Sequence, residues 1–160
     1  MGVLTERRQK LVDALRDGSF TQSYYALQDK SGYCCLGVAS ELTRLEHPGD
    51  IVKYDSGDGT MTYACTEAMI SAISTNVGDP WHSSSLQLIA PVIDFYGFRY
   101  NDAIFSKPIT VVLSDQTTIV SEGLTDLNDL SELPFPDIAD VIVAHQDLLF
   151  ISDPDGGRLV

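Results

Sequence analysis

Apolar positions along the chain recur mostly at helical spacing, broken by two stretches of alternation. Leu4, Leu11, Val12 and Leu15 share one stripe, with Arg7, Lys10 and Asp13 opposite and Gly18 placed to close the C-terminus, which predicts a helix over about 4–17. From Phe20 to Gly32 no period is visible, so a loop with one short strand is expected. A second helix, about 34–46, buries Cys35, Val38, Ala39, Leu42 and Leu45 and stops at His47-Pro48-Gly49. Ile51–Asp55 and Met61–Cys65 alternate around Ser56-Gly57-Asp58-Gly59-Thr60, a hairpin with Val52 and Tyr54 set against Met61 and Tyr63.

Thr66 caps a third helix carrying Met69, Ile70 and Ile73, and 76–85 reads as a long loop. Leu86–Tyr96 is helical, Pro91 either kinking it or opening a shorter helix, and Gly97 ends it. Ile109–Leu113 and Thr118–Ser121 flank Ser114-Asp115-Gln116-Thr117 as a second hairpin. Pro134 and Pro136 open a last helix, about 135–145, with Phe135, Ile138, Ala139 and Ile142 inward and Asp137, Asp140 and Asp147 gathered on the opposite face. Leu148–Ile151 is a closing strand. Helices and hairpins interleave without βαβ spacing, so the expected fold is α+β: one compact domain over 1–160, with four to five helices and short antiparallel hairpins.

Length agrees, since 160 residues suit a single core that needs no metal or disulfide staple. Charge adds a constraint on partners. Asp and Glu number 23 and Lys and Arg only 10, a net charge of −13. An average composition holds about 20 of each sign in a chain this long, so the bases are depleted rather than the acids enriched. The depletion is regional: residues 54–160 hold sixteen acids and three bases, with ten acids and no base between Lys107 and Arg158. Nonspecific nucleic-acid binding and anionic membrane surfaces both require the opposite balance. The acids are too few and too interspersed with Leu, Ile and Val for a phosphate-mimicking stripe; the Asp137–Asp140–Asp147 face suits a basic protein partner or simple solvation.

No run of about 18 apolar residues occurs, so no membrane span is expected. The opening Met-Gly-Val-Leu-Thr-Glu-Arg-Arg reaches charge too soon for a secretory segment, and Glu6 stands where a myristoylation signal takes Ser or Thr. Cys34, Cys35 and Cys65 form neither an even disulfide set nor a CxxC pair, which fits a reducing cytoplasm.

Candidate chemistry begins at Tyr33-Cys34-Cys35-Leu36-Gly37-Val38. A thiol at a helix N-terminus meets unpaired N–H groups that favour the thiolate, so Cys34 or Cys35 is the natural nucleophile of a cysteine hydrolase; His47, His82 and His145 are its candidate bases, and His82, in the loop after Trp81, is preferred because loops commonly carry site residues. The competing reading makes both cysteines core residues. Asp126, Asp129 and Glu132 supply carboxylates close in sequence, but acid–base work needs a cleft that sequence density does not establish. Asp55-Ser-Gly-Asp-Gly-Thr lacks the terminal Glu of a calcium loop and is explained by a turn. No phosphate loop, dinucleotide fingerprint, HExxH or GxSxG is present, and neither a cofactor nor a metal is expected. Tyr24, Tyr25 and Tyr33 surround Gln22, Gln28 and Lys30, a mixture that can stack and hydrogen-bond a nucleotide with Arg16 and Lys30 on its phosphates, or else line the edge of the core.

Ala14-Leu15-Arg16, Gly18, Phe20, Gln22, the CCLGV run, and later Leu127-Asn128-Asp129 with Phe135, Ile138, Ala139, Asp140 and Ile142 together resemble a family of small bacteriophage proteins of uncharacterised activity. Asp17 and Leu130–Leu133 depart from that family's pattern. The resemblance implies a phage-encoded accessory protein acting in the cytoplasm of an infected bacterium, and it carries no activity with it. Its partner is expected to be a host factor or defence component, or alternatively a small nucleotide signal that it sequesters. Arg16, Gln22, Tyr25, Lys30 and Tyr33 are the candidate ligand residues; Asp137, Asp140 and Asp147 are the candidate partner face.

Overall fold

In the computed structural model, residues 4–67, 83–113 and 115–151 are described below. Helix α1 (Glu6–Arg16) starts at Thr5, whose hydroxyl accepts the Arg8 N–H, and buries Leu11, Val12, Ala14 and Leu15 along the predicted stripe. Two-residue strands β1 (Gln28–Asp29) and β2 (Gly32–Tyr33) form a tight ribbon in place of the single short strand expected. Helix α2 (Cys35–Glu46) follows, capped by Cys34, with Cys35, Val38 and Ala39 buried but Leu45 exposed.

Strands β3 (Ile51–Asp55) and β4 (Met61–Cys65) pair antiparallel where the alternation placed them, and β5 (Ser83–Ser84) adds to the other edge of β4. The facing predicted within this hairpin is corrected. A five-residue connection sets Asp55 opposite Met61, so Val52 faces Ala64 and Tyr54 faces Thr62. Because side chains alternate, Val52 and Tyr54 lie on the exposed face while Ile51, Tyr63 and Cys65 point into the core. The predicted third helix beyond Glu67 and residues 76–82 of the predicted 76–85 loop, His82 included, lie outside the described residues, while Ser83 and Ser84 at the end of that loop are the strand β5 instead.

Helix α3 (Ala90–Tyr96) is shorter than the 86–96 span predicted, with Pro91 in its first turn and Gly97 in the left-handed conformation closing it. The second hairpin is longer than expected: β6 (Ile104–Val112) pairs with β7 (Thr118–Gly123) through an irregularity between Ile104 and Ile109. It runs directly into α4 (Leu124–Asp129), a helix with too few apolar positions to show in the pattern. Helix α5 (Phe135–Ala144) matches the predicted last helix. The chain then turns at His145 into α6 (Gln146–Leu149), which replaces the predicted closing strand; Phe150 alone bridges to Phe98. That turn also removes Asp147 from the α5 face that carries Asp137 and Asp140.

These six helices and small antiparallel sheets make one α+β domain. Helix α1 lies against α5 and α2, while α2 also contacts α3 and α4, so α2 is the central element. Leu11, Leu15, Leu36, Val38, Leu127 and Ile138 are among the fully buried residues between them. Among the described residues no helix is long and apolar enough to cross a membrane.

Candidate functional site

The N-terminus of α2 approaches the backbone of the preceding loop so closely that only glycine fits. A Cβ on Gly37 would lie 1.6 Å from the Leu27 carbonyl oxygen. Around this approach several segments far apart in sequence meet. Asn128, fully buried on α4, accepts from the Cys35 N–H (3.3 Å) and from Gln22 Nε2 (3.0 Å), and its Nδ2 donates to the Ser23 carbonyl (2.9 Å) and to Asp129 Oδ1 (2.8 Å). Gln22 Nε2 also donates to the Leu133 carbonyl, and Gln22 Oε1 accepts the Phe135 N–H, which holds the entrance of α5. Gln22, the two cysteines, Leu127-Asn128-Asp129 and Phe135 therefore form one polar clasp, in which every hydrogen-bonding atom of the Gln22 and Asn128 side chains is engaged.

The thiols do not have the environment that the helix start alone predicts. Cys34 Sγ accepts the Gly37 N–H at 3.4 Å, the interaction expected of a capping thiolate. Burial outweighs it and pushes the Cys34 thiol up to about 12, while Cys35, buried deeper and beside Cys34, is also driven well above its ordinary value. The helix dipole acts on a group that has lost its water, and desolvation is the larger effect. Cys34 and Cys35 are thus buried core residues whose environment favours the protonated thiol, as the competing reading has it; His82, the base of the nucleophile reading, lies outside the described residues.

Beside the clasp opens a cavity of about 400 Å³. One wall is the start of α2 with Cys34 and Cys35; the others come from the Tyr25 loop, the Leu86-Gln87 segment, the start of β6, and the β7–α4 junction. Gly123 makes that junction possible, because a Cβ there would sit 2.8 Å from the Ile104 Cα. Asp102, Glu122, Asp126 and Asp129 converge on the cavity, and no Lys or Arg is among its lining residues. Asp129 Oδ1 also accepts the N–H of Tyr25 at 2.9 Å, a residue with φ 68° that is 66% exposed at the rim. Four carboxylates around one concavity make a local field that attracts cations and repels phosphates.

Of the predicted ligand residues, only Tyr25 reaches this cavity. Arg16 pairs with Asp140 at 2.7 Å on the far side of α1. Gln22 is consumed by the clasp. The Lys30 stem packs over Gly59 in the β3–β4 turn. Tyr33 meets Phe20 edge to face, with the Lys53 ammonium 5.7 Å from its ring centre. Asp137 and Asp140 line a separate groove beside β6, and Asp147 stands apart on α6.

The sequence also hid a buried charge cluster. Glu41 on α2 accepts from Arg44 (2.5 Å), Lys53 (3.0 Å) and the Tyr63 hydroxyl (2.9 Å). Burial opposes its charge, yet these hydrogen bonds prevail and hold the carboxyl below its usual range. The cluster ties α2 to the β3–β4 hairpin. Among the described residues no group of three His, Cys, Asp or Glu side chains is arranged to hold a metal ion.

A small α+β domain, with a polar clasp around the start of its central helix and an acid-lined cavity beside it, is what the geometry defines. Residues 4–146 match the model of DUF8296, a domain of unknown function, and the chain belongs to that family. No curated protein and no solved structure matches it.

Proposed function

We propose that this chain is a non-catalytic binding protein whose cavity receives a positively charged group of a partner protein. The observation that carries the reading is the convergence of Asp102, Glu122, Asp126 and Asp129 on one concavity without a lining base. Such a site raises the local concentration of a Lys or Arg side chain and disfavours anionic ligands. In the setting implied by the resemblance to phage accessory proteins, the partner is a host factor or defence component in the bacterial cytoplasm.

The alternatives are weaker on specific grounds. A nucleotide sponge needs cations near the phosphates, and Arg16 and Lys30 are occupied elsewhere. A cysteine hydrolase needs an accessible thiolate, and burial keeps Cys34 protonated. The test uses wild-type protein and an Asp102→Asn, Glu122→Gln double variant as baits in bacterial lysate, after circular dichroism has shown that both are folded. One host protein at reproducible stoichiometry is expected on the wild type, lost from the variant and released by about 0.5 M salt. Equal recovery by both baits, or none by either, overturns the reading.

A further inference from the structure

Strands β6 and β7 form a two-stranded ribbon, so among the described residues β6 keeps one edge with no strand beside it. That edge faces α5 across a groove of about 510 Å³, lined along the strand by Thr110, Val111, Val112 and Leu113. Neighbouring side chains on a strand point to opposite faces, so four consecutive residues share one groove only when it runs along the strand edge. The hydrogen-bond phase agrees. Leu113 donates its N–H to the Thr117 carbonyl at 2.8 Å, and pairing continues as Val111 with Ile119 and Ile109 with Ser121. Residues in step with Leu113 turn their amides toward β7, which leaves the N–H and C=O of Thr110 and Val112 turned toward the groove. Pro108 shares this outward phase, where its missing N–H costs no ladder bond and marks the end of the usable edge.

We propose that this groove accepts an extended segment of a partner protein as a third strand on β6, its side chains alternately apolar and basic. Backbone bonding to Thr110 and Val112 sets its register, as in other cases of strand addition. Leu133 and Val141 give the far side an apolar floor, and Val112, 63% exposed, supplies apolar surface on the rim. Charge selects the remaining positions: Asp137 and Asp140 stand exposed on α5 and no Lys or Arg lines the groove, although Arg16 shares Asp140 from α1. A second copy of this chain is a poor occupant because each copy carries a net charge of −13. None of these residues lines the acid cavity, so this proposal and the proposed function stand or fall separately.

The test is nuclear magnetic resonance of the full ¹⁵N-labelled chain titrated with hexapeptides that alternate Val or Leu with Lys or Arg. The Thr110 and Val112 amides should shift, with affinity at least tenfold weaker for acidic counterparts of the peptides or for Asp137→Asn. Methylating the peptide nitrogens of one parity should abolish binding, and methylating those of the other parity should leave it within about twofold, because a strand bonds its neighbour through alternate residues. In the titration, the proposal is overturned by no shifts at about 1 mM peptide, by equal sensitivity to methylation at both parities, or by shifts confined to Asp102, Glu122 and Asp126, which would leave the cavity reading intact. Concentration-dependent shifts at Thr110 and Val112 without peptide would make the occupant a second copy and also overturn it.

Discussion

Asn128→Ala removes the hub of the clasp. Its side chain is fully buried and makes four hydrogen bonds, which join the start of α2, the loop at Gln22 and Ser23, and α4. Gln22 Nε2 keeps the Leu133 carbonyl after the truncation, but the Cys35 N–H and the Ser23 carbonyl lose their partner in Asn128. An orphaned buried polar group costs about 1–3 kcal/mol, so the pair costs about 2–6 kcal/mol before any cavity term. That is a large part of the 5–15 kcal/mol or so that holds a typical domain together. Urea unfolding followed by circular dichroism should show a lower midpoint at unchanged slope. Gln22→Ala should couple to it, the double variant losing less than the sum of the singles by roughly 1 kcal/mol, because the two side chains share a hydrogen bond. A loss below about 1 kcal/mol for Asn128→Ala, or strict additivity with Gln22→Ala, would show that the clasp does not hold these segments together.

Gly37→Ala should destabilise the chain by about 3 kcal/mol or more, since the new methyl falls on the Leu27 carbonyl and helix and loop must separate, whereas Gly49→Ala, with open space around it, should stay within about 0.5 kcal/mol; thermal melts of the two decide it. With Cys34 at about 12 and Cys65 at about 11, the folded protein at pH 8 should resist iodoacetamide on all three thiols, and unfolding in urea should make all three reactive. The folded chain holds these protons more tightly than the unfolded chain, so this contribution is complete below about pH 9 and is lost as pH rises toward 12, which denaturation midpoints between pH 8 and 11 will register. Glu41 has the opposite sign: its lowered value stabilises the fold above pH 4.5, its ordinary value, and that stabilisation disappears as pH falls, so Glu41→Gln should flatten the acid limb of the stability profile.

Much of the architecture was legible from local pattern. The α1 stripe, the limits of α2, the β3–β4 strands and the α5 face each follow from spacing and punctuation within a dozen residues, because backbone hydrogen bonding in helices and hairpins is itself local. Short elements escaped for the same reason: α4 and α6 contain too few turns for a period to declare itself, and their conformations are fixed by packing against β7 and β6.

Side-chain roles depended on distance in space. The motif residues Gln22, Cys34, Cys35 and Asn128 were visible as a set, and only tertiary contact showed that Asn128 joins Gln22 to the start of α2. Sequence placed Cys34 at a positive helix end; the core then removed its water, and desolvation outweighed the dipole. The deficit of Lys and Arg after residue 53 was countable from composition, but only the fold brings Asp102 to the β7–α4 junction beside Glu122 and Asp126. By itself the sequence determined that the second half would be anionic, because charge is additive along a chain. The tertiary structure decided where that charge converges, because carboxylates far apart in sequence reinforce one another's field only when the fold sets them around a shared concavity.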